Sequence, residues 1–153
     1  MKLIPIAGLL LGLSAPSLAH ETKAGALLVD HPVLRVASPV SKTGAGFMTI
    51  TNSGKTADRL LSVTTAASNR SDLHGTINQG GVMQMRAQAG GVQIPAGGKV
   101  VFAPGGLHVM FIGLKAAVTP GQMITARLTF EKAGAVDVAF KAETAAAAAQ
   151  HQH

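Results

Sequence analysis

Two stretches of this 153-residue chain set nitrogen and sulfur donors at strand-like spacing. In PGGLHVMFIG, residues 104 to 113, period-two alternation puts Leu107, Val109 and Phe111 on one face and His108, Met110 and Ile112 on the other. An imidazole and a thioether therefore point the same way. In GGVMQMRAQ the same rule sets Met83 and Met85 opposite Val82, Gln84 and Arg86, with His74 a short way upstream after Ser71-Asp72-Leu73. Two neutral imidazoles and two thioethers form a soft, uncharged donor set that suits monovalent copper, whereas calcium or magnesium would ask for carboxylates. Each residue also has a plainer reading, since methionine fills irregular core gaps and histidine is commonly a surface or hydrogen-bonded group. Spacing leaves both readings open, because a meeting of His74 with His108 is a matter of tertiary structure.

Other chemistries find less support. The serines lie in turn-like contexts and no Gly-x-Ser-x-Gly elbow occurs. Asp30, Asp58, Asp72, Glu131 and Asp137 mostly fall in turns or on outward strand phases, which argues against a paired-carboxylate mechanism. Gly80-Gly81 and Gly90-Gly91 lack the strand-to-helix context of a phosphate-cradling loop. With the nucleophile-plus-base constellation missing, a binding protein is expected in place of an enzyme. The chain has no cysteine, so thiolate nucleophiles, redox pairs and the thiolate of a blue-copper centre are all closed off.

The first nineteen residues read as a secretory signal. Basic Lys2 precedes an apolar run from Leu3 to Leu13, and Ser17 and Ala19 occupy the −3 and −1 positions of a cut that would leave His20 as the mature N-terminus. The apolar run is too short for a bilayer-spanning helix, which needs about 20 residues, so no stable membrane insertion is expected after cleavage. Loss of Lys2 leaves 12 Lys+Arg against 7 Asp+Glu, a formal charge of +5. The basic residues are scattered singly and tryptophan and tyrosine are absent, which disfavours nucleic-acid binding. Export to an oxidising compartment without cysteine also means that packing alone must stabilise the domain.

From Gly25 to Lys141 the sequence runs in short alternating segments broken by Gly, Pro, Asn and Ser, the pattern of a single all-β domain of Greek-key sandwich or barrel type. Ile124, Ala126, Leu128 and Phe130 alternate with Thr125, Arg127, Thr129 and Glu131, and a turn at Gly134 leads to Val136, Val138 and Phe140, predicting an antiparallel hairpin. Further strands are expected at 26–30, 33–37, 46–51, 60–65, 82–87 and 99–103. With the apolar run beginning near His108, the total is roughly eight or nine. Residues 142–153, AETAAAAAQHQH, read as a flexible low-complexity tail too uniform to add a core strand, giving a domain of 20–141 between the signal at 1–19 and that tail.

The run from His74 through Met85 to PGGLHVM resembles the PCuAC family of periplasmic copper chaperones, whose signature is a histidine, ten residues, a methionine, and then His-x-Met after a longer gap. Here ten residues separate His74 from Met85, and Arg86 to Leu107 lead to His108-Val109-Met110. DHPVLR, GAGFMTITN, DRLLSV, GVMQMR, IPAGGKVVFAPGGLHVMFIGLK and LTFEKAG extend the likeness over nearly the whole mature domain. The second gap is one residue longer than is common in the family, Leu107 stands where tyrosine is usual, and Val33 where tryptophan often follows His-Pro; no metal donor is lost by these changes.

The resemblance implies a cupredoxin-like fold, Cu(I) held by His74, Met85, His108 and Met110, a periplasmic monomer, and delivery to the CuA centre of cytochrome c oxidase or to another copper-transfer protein. Met83 shares the strand phase but matches no signature position. His151 and His153 resemble histidine-bearing extensions of some members, and with His20 they offer accessory Cu(II) ligands; the alternative function is accordingly copper sequestration or resistance. A metal-free structural sandwich is the other rival. His31, beside Pro32, reads as structural.

Overall fold

Alternation in the sequence becomes one strongly curled sheet of eleven strands in the computed structural model, which describes residues 21–145. The strands are β1 (Glu21–Ala24), β2 (Leu27–Val36), β3 (Thr43–Asn52), β4 (Asp58–Thr64), β5 (Ser68–Gln79), β6 (Val82–Ala87), β7 (Val92–Ile94), β8 (Lys99–Phe102), β9 (His108–Leu114), β10 (Met123–Phe130) and β11 (Gly134–Thr144). Their order across the sheet is β6-β5-β9-β3-β2-β11-β10-β4-β7, with β1 added on β2 and β8 on β3. Every pairing is antiparallel except β11 with β2. The sheet curls until β4 lies beside β5 without a ladder between them, and Leu61, Ser62, Val63, Ser71 and Leu73 line a cleft of about 310 Å³ along that seam.

The concave side is the core. Phe102, Phe111, Phe130 and Phe140 are fully buried there with Leu34, Met48, Ile50, Leu60, Ile94 and Leu128. Burying each such side chain is worth about 1.5–3 kcal/mol, which replaces what a disulfide would contribute in an exported domain of this size. Where β3 meets β9 the chains approach too closely for a side chain: a Cβ on Gly46 would lie 2.8 Å from Phe111 Cε2 and 3.2 Å from Val109 Cβ.

The hairpin expected at Gly134 is present, with Phe130 opposite Gly134 and Ile124 opposite Phe140. The strand expected at 82–87 is β6 with the same bounds. Elsewhere three differences appear. The segments expected at 26–30 and 33–37 form one strand, β2, whose pairing with β3 shifts between Asp30 and Val33 where His31 adopts φ 51°. His31 Nδ1 stands 2.7 Å from Asp30 Oδ1 but off the line of a hydrogen bond, and its side chain is 79% exposed, so the backbone at this position forms the bulge while the ring faces solvent. Strands β1, β5 and β7 were not expected; β5 is hard to see because Leu73 is its one large buried apolar residue.

The third difference is the C-terminal boundary. β11 runs on to Thr144 in place of ending at Lys141, because its last residues pair in parallel with β2 and bury Ala142. Arg35 Nε and an Nη donate to Glu143 Oε1 at 2.9 and 2.7 Å across that pair, and the same guanidinium lies 5.3 Å over the Phe47 ring. The folded domain therefore reaches Thr144, three residues beyond the expected limit of 141. The expected signal segment 1–19 and the remainder of the expected tail, 146–153, lie outside the described residues.

Candidate metal centre

β8 and β9 both pair with the edge of β3 that β2 leaves free: Met48 lies opposite Phe102, and Gly46 opposite Val109. They form a single line interrupted by the turn Ala103–Leu107, which is closed by Gly106 N–H donating to the Ala103 carbonyl and Ala103 N–H donating to that of Leu107. Pro104-Gly105-Gly106 is thus an excursion between two collinear strands, and His108 is the first residue back in line. This turn also fixes the ring. His108 Nδ1 is 3.0 Å from the Gly106 carbonyl oxygen, which can only accept, so Nδ1 carries the proton and Nε2 keeps a free lone pair. Nε2 is buried and has no hydrogen-bond partner among the described residues. An acceptor left orphaned inside a protein costs about 1–3 kcal/mol, an unusual expense for a histidine that merely fills space.

On its other side β9 pairs with β5, and the register sets His74 directly opposite His108 and Asp72 opposite Met110. β5 then turns through Gly80-Gly81 into β6, so that Thr76 faces Met85 and Asn78 faces Met83. Gly80 and Gly81 have φ of 62° and 85°, the two positive values that a two-residue type I′ hairpin turn needs. Because directly opposed residues share a face, Asp72, His74, His108, Met110, Met85 and Met83 all project from the outer side of the β6-β5-β9 layer.

Within that group His74 Nδ1 is 3.1 Å from Met85 Sδ, and the rings of His74 and His108 meet edge to face at 5.6 Å between centroids. His74 Nε2 looks toward Asp72 Oδ2 at 3.9 Å, too far for a hydrogen bond, and Arg70 Nε donates to that same oxygen at 3.0 Å. The fold therefore brings together His74, Met85 and His108, with Met110 on the same face two residues along β9. Burial grades across the group: His108 is 7% exposed and Met85 54%.

Among the described residues no cluster of three or more His, Cys, Asp or Glu could hold a metal ion, so a metal here would need the thioethers. The donors are two imidazoles and neutral sulfur beside a single carboxylate already paired with an arginine, a set matched to a soft monovalent ion and poorly matched to a hard divalent one. The sequence does not single out Asp72 or the Gly106 carbonyl as part of this group. Asp72 was accessible from phase alone, standing two residues before His74. His31 lies on β2, apart from this group, and His20, His151 and His153 lie outside the described residues.

A second polar feature belongs to the scaffold. Asp58 Oδ1 accepts from the amides of Arg59 and Lys132, and Oδ2 from that of Ala133, pinning the β10–β11 turn to the start of β4. Burial alone would raise the Asp58 carboxyl, but those three amides and the Lys132 charge outweigh it and hold it below the ordinary value of 3.8.

Comparison with known proteins gives a consistent picture. A family model described as "Putative lipoprotein LpqE-like" matches residues 27–142. A relative from Leifsonia xyli subsp. xyli, "Putative lipoprotein Lxx21020", is 35% identical over 95 residues, covering 62% of this chain and 57% of that protein. The chain thus spans little more than half the length of that relative. Among solved structures, "Apo PCuAC domain from PmoF1" superposes with a TM-score of 0.69 at 29% identity, over 82% of this chain and 99% of that one. "Copper-bound PCuAC domain from PmoF2" does so with a TM-score of 0.69 at 26% identity, over 82% and 98%. The all-β, cupredoxin-like expectation agrees with the fold these domains share.

Proposed function

Since the chain belongs to the LpqE-like, PCuAC-type family, we propose that it is a copper chaperone, a protein of binding and transfer and not an enzyme, which holds Cu(I) through His74, Met85, His108 and Met110. The observation that carries this reading is the orphaned Nε2 of His108, whose ring is held by the Gly106 carbonyl in the tautomer that leaves Nε2 free to bind a metal. The 3.1 Å between His74 Nδ1 and Met85 Sδ supports it, being a separation that two donors can have when each bonds one ion at about 2.0–2.3 Å, the range for comparable nitrogen and sulfur ligands.

Cu(I) has no demand for anionic ligands that these residues cannot meet. Thioethers bind it without losing a proton and cannot be locked into disulfides, so the site stays competent in an oxidising compartment. The working place is accordingly outside the cytoplasm, in the periplasm, and the likeness to a lipoprotein supports export. The acceptor in this reading is the CuA centre of cytochrome c oxidase, reached as a monomer by ligand exchange at the exposed side of the site.

Anaerobic titration against a chromophoric Cu(I) chelator should show one ion extracted per chain, and extraction of none would overturn the reading. Delivery is a separate measurement: the Cu(I)-loaded protein mixed with an apo CuA domain should transfer its copper, and retention of the metal against that acceptor would reject the oxidase as destination.

A further inference from the structure

Met83 is the one methionine of the group that the four-ligand site leaves unused. We propose that it is a second sulfur donor which, with Met85, forms an outer station through which Cu(I) enters and leaves; this rests on the copper reading above. Three features of the hairpin carry the inference.

The first is phase. Met83 and Met85 are two residues apart on β6, opposite Asn78 and Thr76, and so share the face that bears His74. Their spacing along the strand is about 6.5 Å, within the combined reach of two side chains with three rotatable bonds each. The second is exposure: Met83 is 57% and Met85 54% exposed, against 2% for the core methionine Met48. Val82 and Ile77 are exposed as well, but they occupy the opposite face of the hairpin, so what sets Met83 apart is its alignment with a sulfur that already touches His74 Nδ1. The third is position. Among the described residues β6 pairs only with β5 and forms the edge of the sheet, where exposed strands ordinarily carry charged residues.

An incoming acceptor cannot reach a copper ion through His108, which is buried. It can reach one held by Met83, Met85 and His74. The exchange is balanced: a bond from copper to Met83 Sδ forms as the bonds to His108 Nε2 and Met110 Sδ break, the bonds to His74 and Met85 are kept, the ion passes from four ligands to three and remains Cu(I), and no proton or electron moves.

The test compares Met83→Leu with the parent in the full chain loaded with Cu(I). Equilibrium affinity should change less than about threefold, while the stopped-flow rate of transfer to excess Cu(I) chelator should fall about tenfold, equivalent to about 1.4 kcal/mol in the barrier. Val82→Ser, which removes apolar surface from the other face of the same turn, should leave the rate unchanged. With 13C-methyl-labelled methionine, loading with the single equivalent of Cu(I) should shift or exchange-broaden the Met83 methyl resonance. A parental transfer rate in Met83→Leu, an equal loss in Val82→Ser, or an unchanged Met83 methyl would each overturn the proposal. Failure of the parent to hold its first equivalent would instead overturn the four-ligand site.

Discussion

β9 carries His108 and Met110 with a hydrogen-bonded neighbour on each side, β5 and β3, whereas β6 carries Met83 and Met85 at the sheet margin with β5 as its single neighbour. Behind β9 there is no spare room, as the Gly46 contacts with Phe111 and Val109 make plain. Around the β5–β6 turn, a Cβ added to Gly80 or Gly81 would meet nothing within 4 Å. One half of the proposed metal centre is fixed by the core and shielded, and the other is carried on a hairpin in reach of solvent. If copper is held and released as proposed, the contrast assigns holding the ion and giving it up to different strands of one sheet, with His74 on β5 common to both.

The contrast can be broken most decisively at its inner half. His108→Ala should lower Cu(I) affinity by more than about a hundredfold in a chelator competition, since even outer-shell changes around metal ligands cost 10–100-fold. An affinity within a few fold of the parent would remove His108 from the site. Gly46→Ala acts on the support beneath it: overpacking against Phe111 and Val109 should cost about 1–3 kcal/mol in chemical denaturation. A parental midpoint would mean that β9 is less tightly backed than the distances indicate.

A smaller effect separates the two sulfurs. Met110→Leu and Met85→Leu are both nearly volume-conserving and should change stability by under about 1.5 kcal/mol. Copper affinity should fall more in Met110→Leu than in Met85→Leu, because Met83, on the same face of β6, can substitute for Met85 if the outer station exists, while β9 offers Met110 no second thioether. The reverse order in paired titrations would invert the comparison.

The smallest effect lies outside both halves. Since folding lowers the Asp58 carboxyl below 3.8, its contribution to stability is present above about pH 4 and is lost as pH falls through the lowered value. Asp58→Asn should flatten that acid limb of the stability curve and leave copper affinity at neutral pH unchanged. A shift in copper affinity would tie the β10–β11 turn to the metal centre.

Strand phase was sufficient for the faces of β10 and β11, where buried and exposed residues alternate, and it also set the donors of β6 and β9 on one face although neither strand alternates apolar with polar residues. It failed for β5, whose sequence SNRSDLHGTINQ reads as polar loop: its outer face bears Asp72, His74, Thr76 and Asn78, and its inner face contributes little beyond Leu73. The pairings of His108 with Met110 and of Met83 with Met85 were thus legible, but the meeting of His74 with His108 depends on a β5–β9 register that local pattern does not encode. The Gly80-Gly81 pair was the missed clue, a two-residue hairpin signal between two runs of strand. The bulge at His31 was hidden for the opposite reason, since Pro32 argued for a break where the strand only shifts register.

The parallel ladder between β2 and β11 has a kinetic meaning. Its Arg35–Glu143 contact joins residues 108 positions apart, while β5 and β6 are neighbours joined by a two-residue turn. Closing a long loop adds only about 0.6 kcal/mol for each doubling of length, so the ladder is cheap at equilibrium; in time it is expensive, because the long search precedes any reward. The β5–β6 hairpin is therefore expected to form early and the β11 seam last, which φ-values near zero along Lys141–Thr144 would bear out and values near one would refute. A domain that closes on its last strand stays incomplete until that strand has been made.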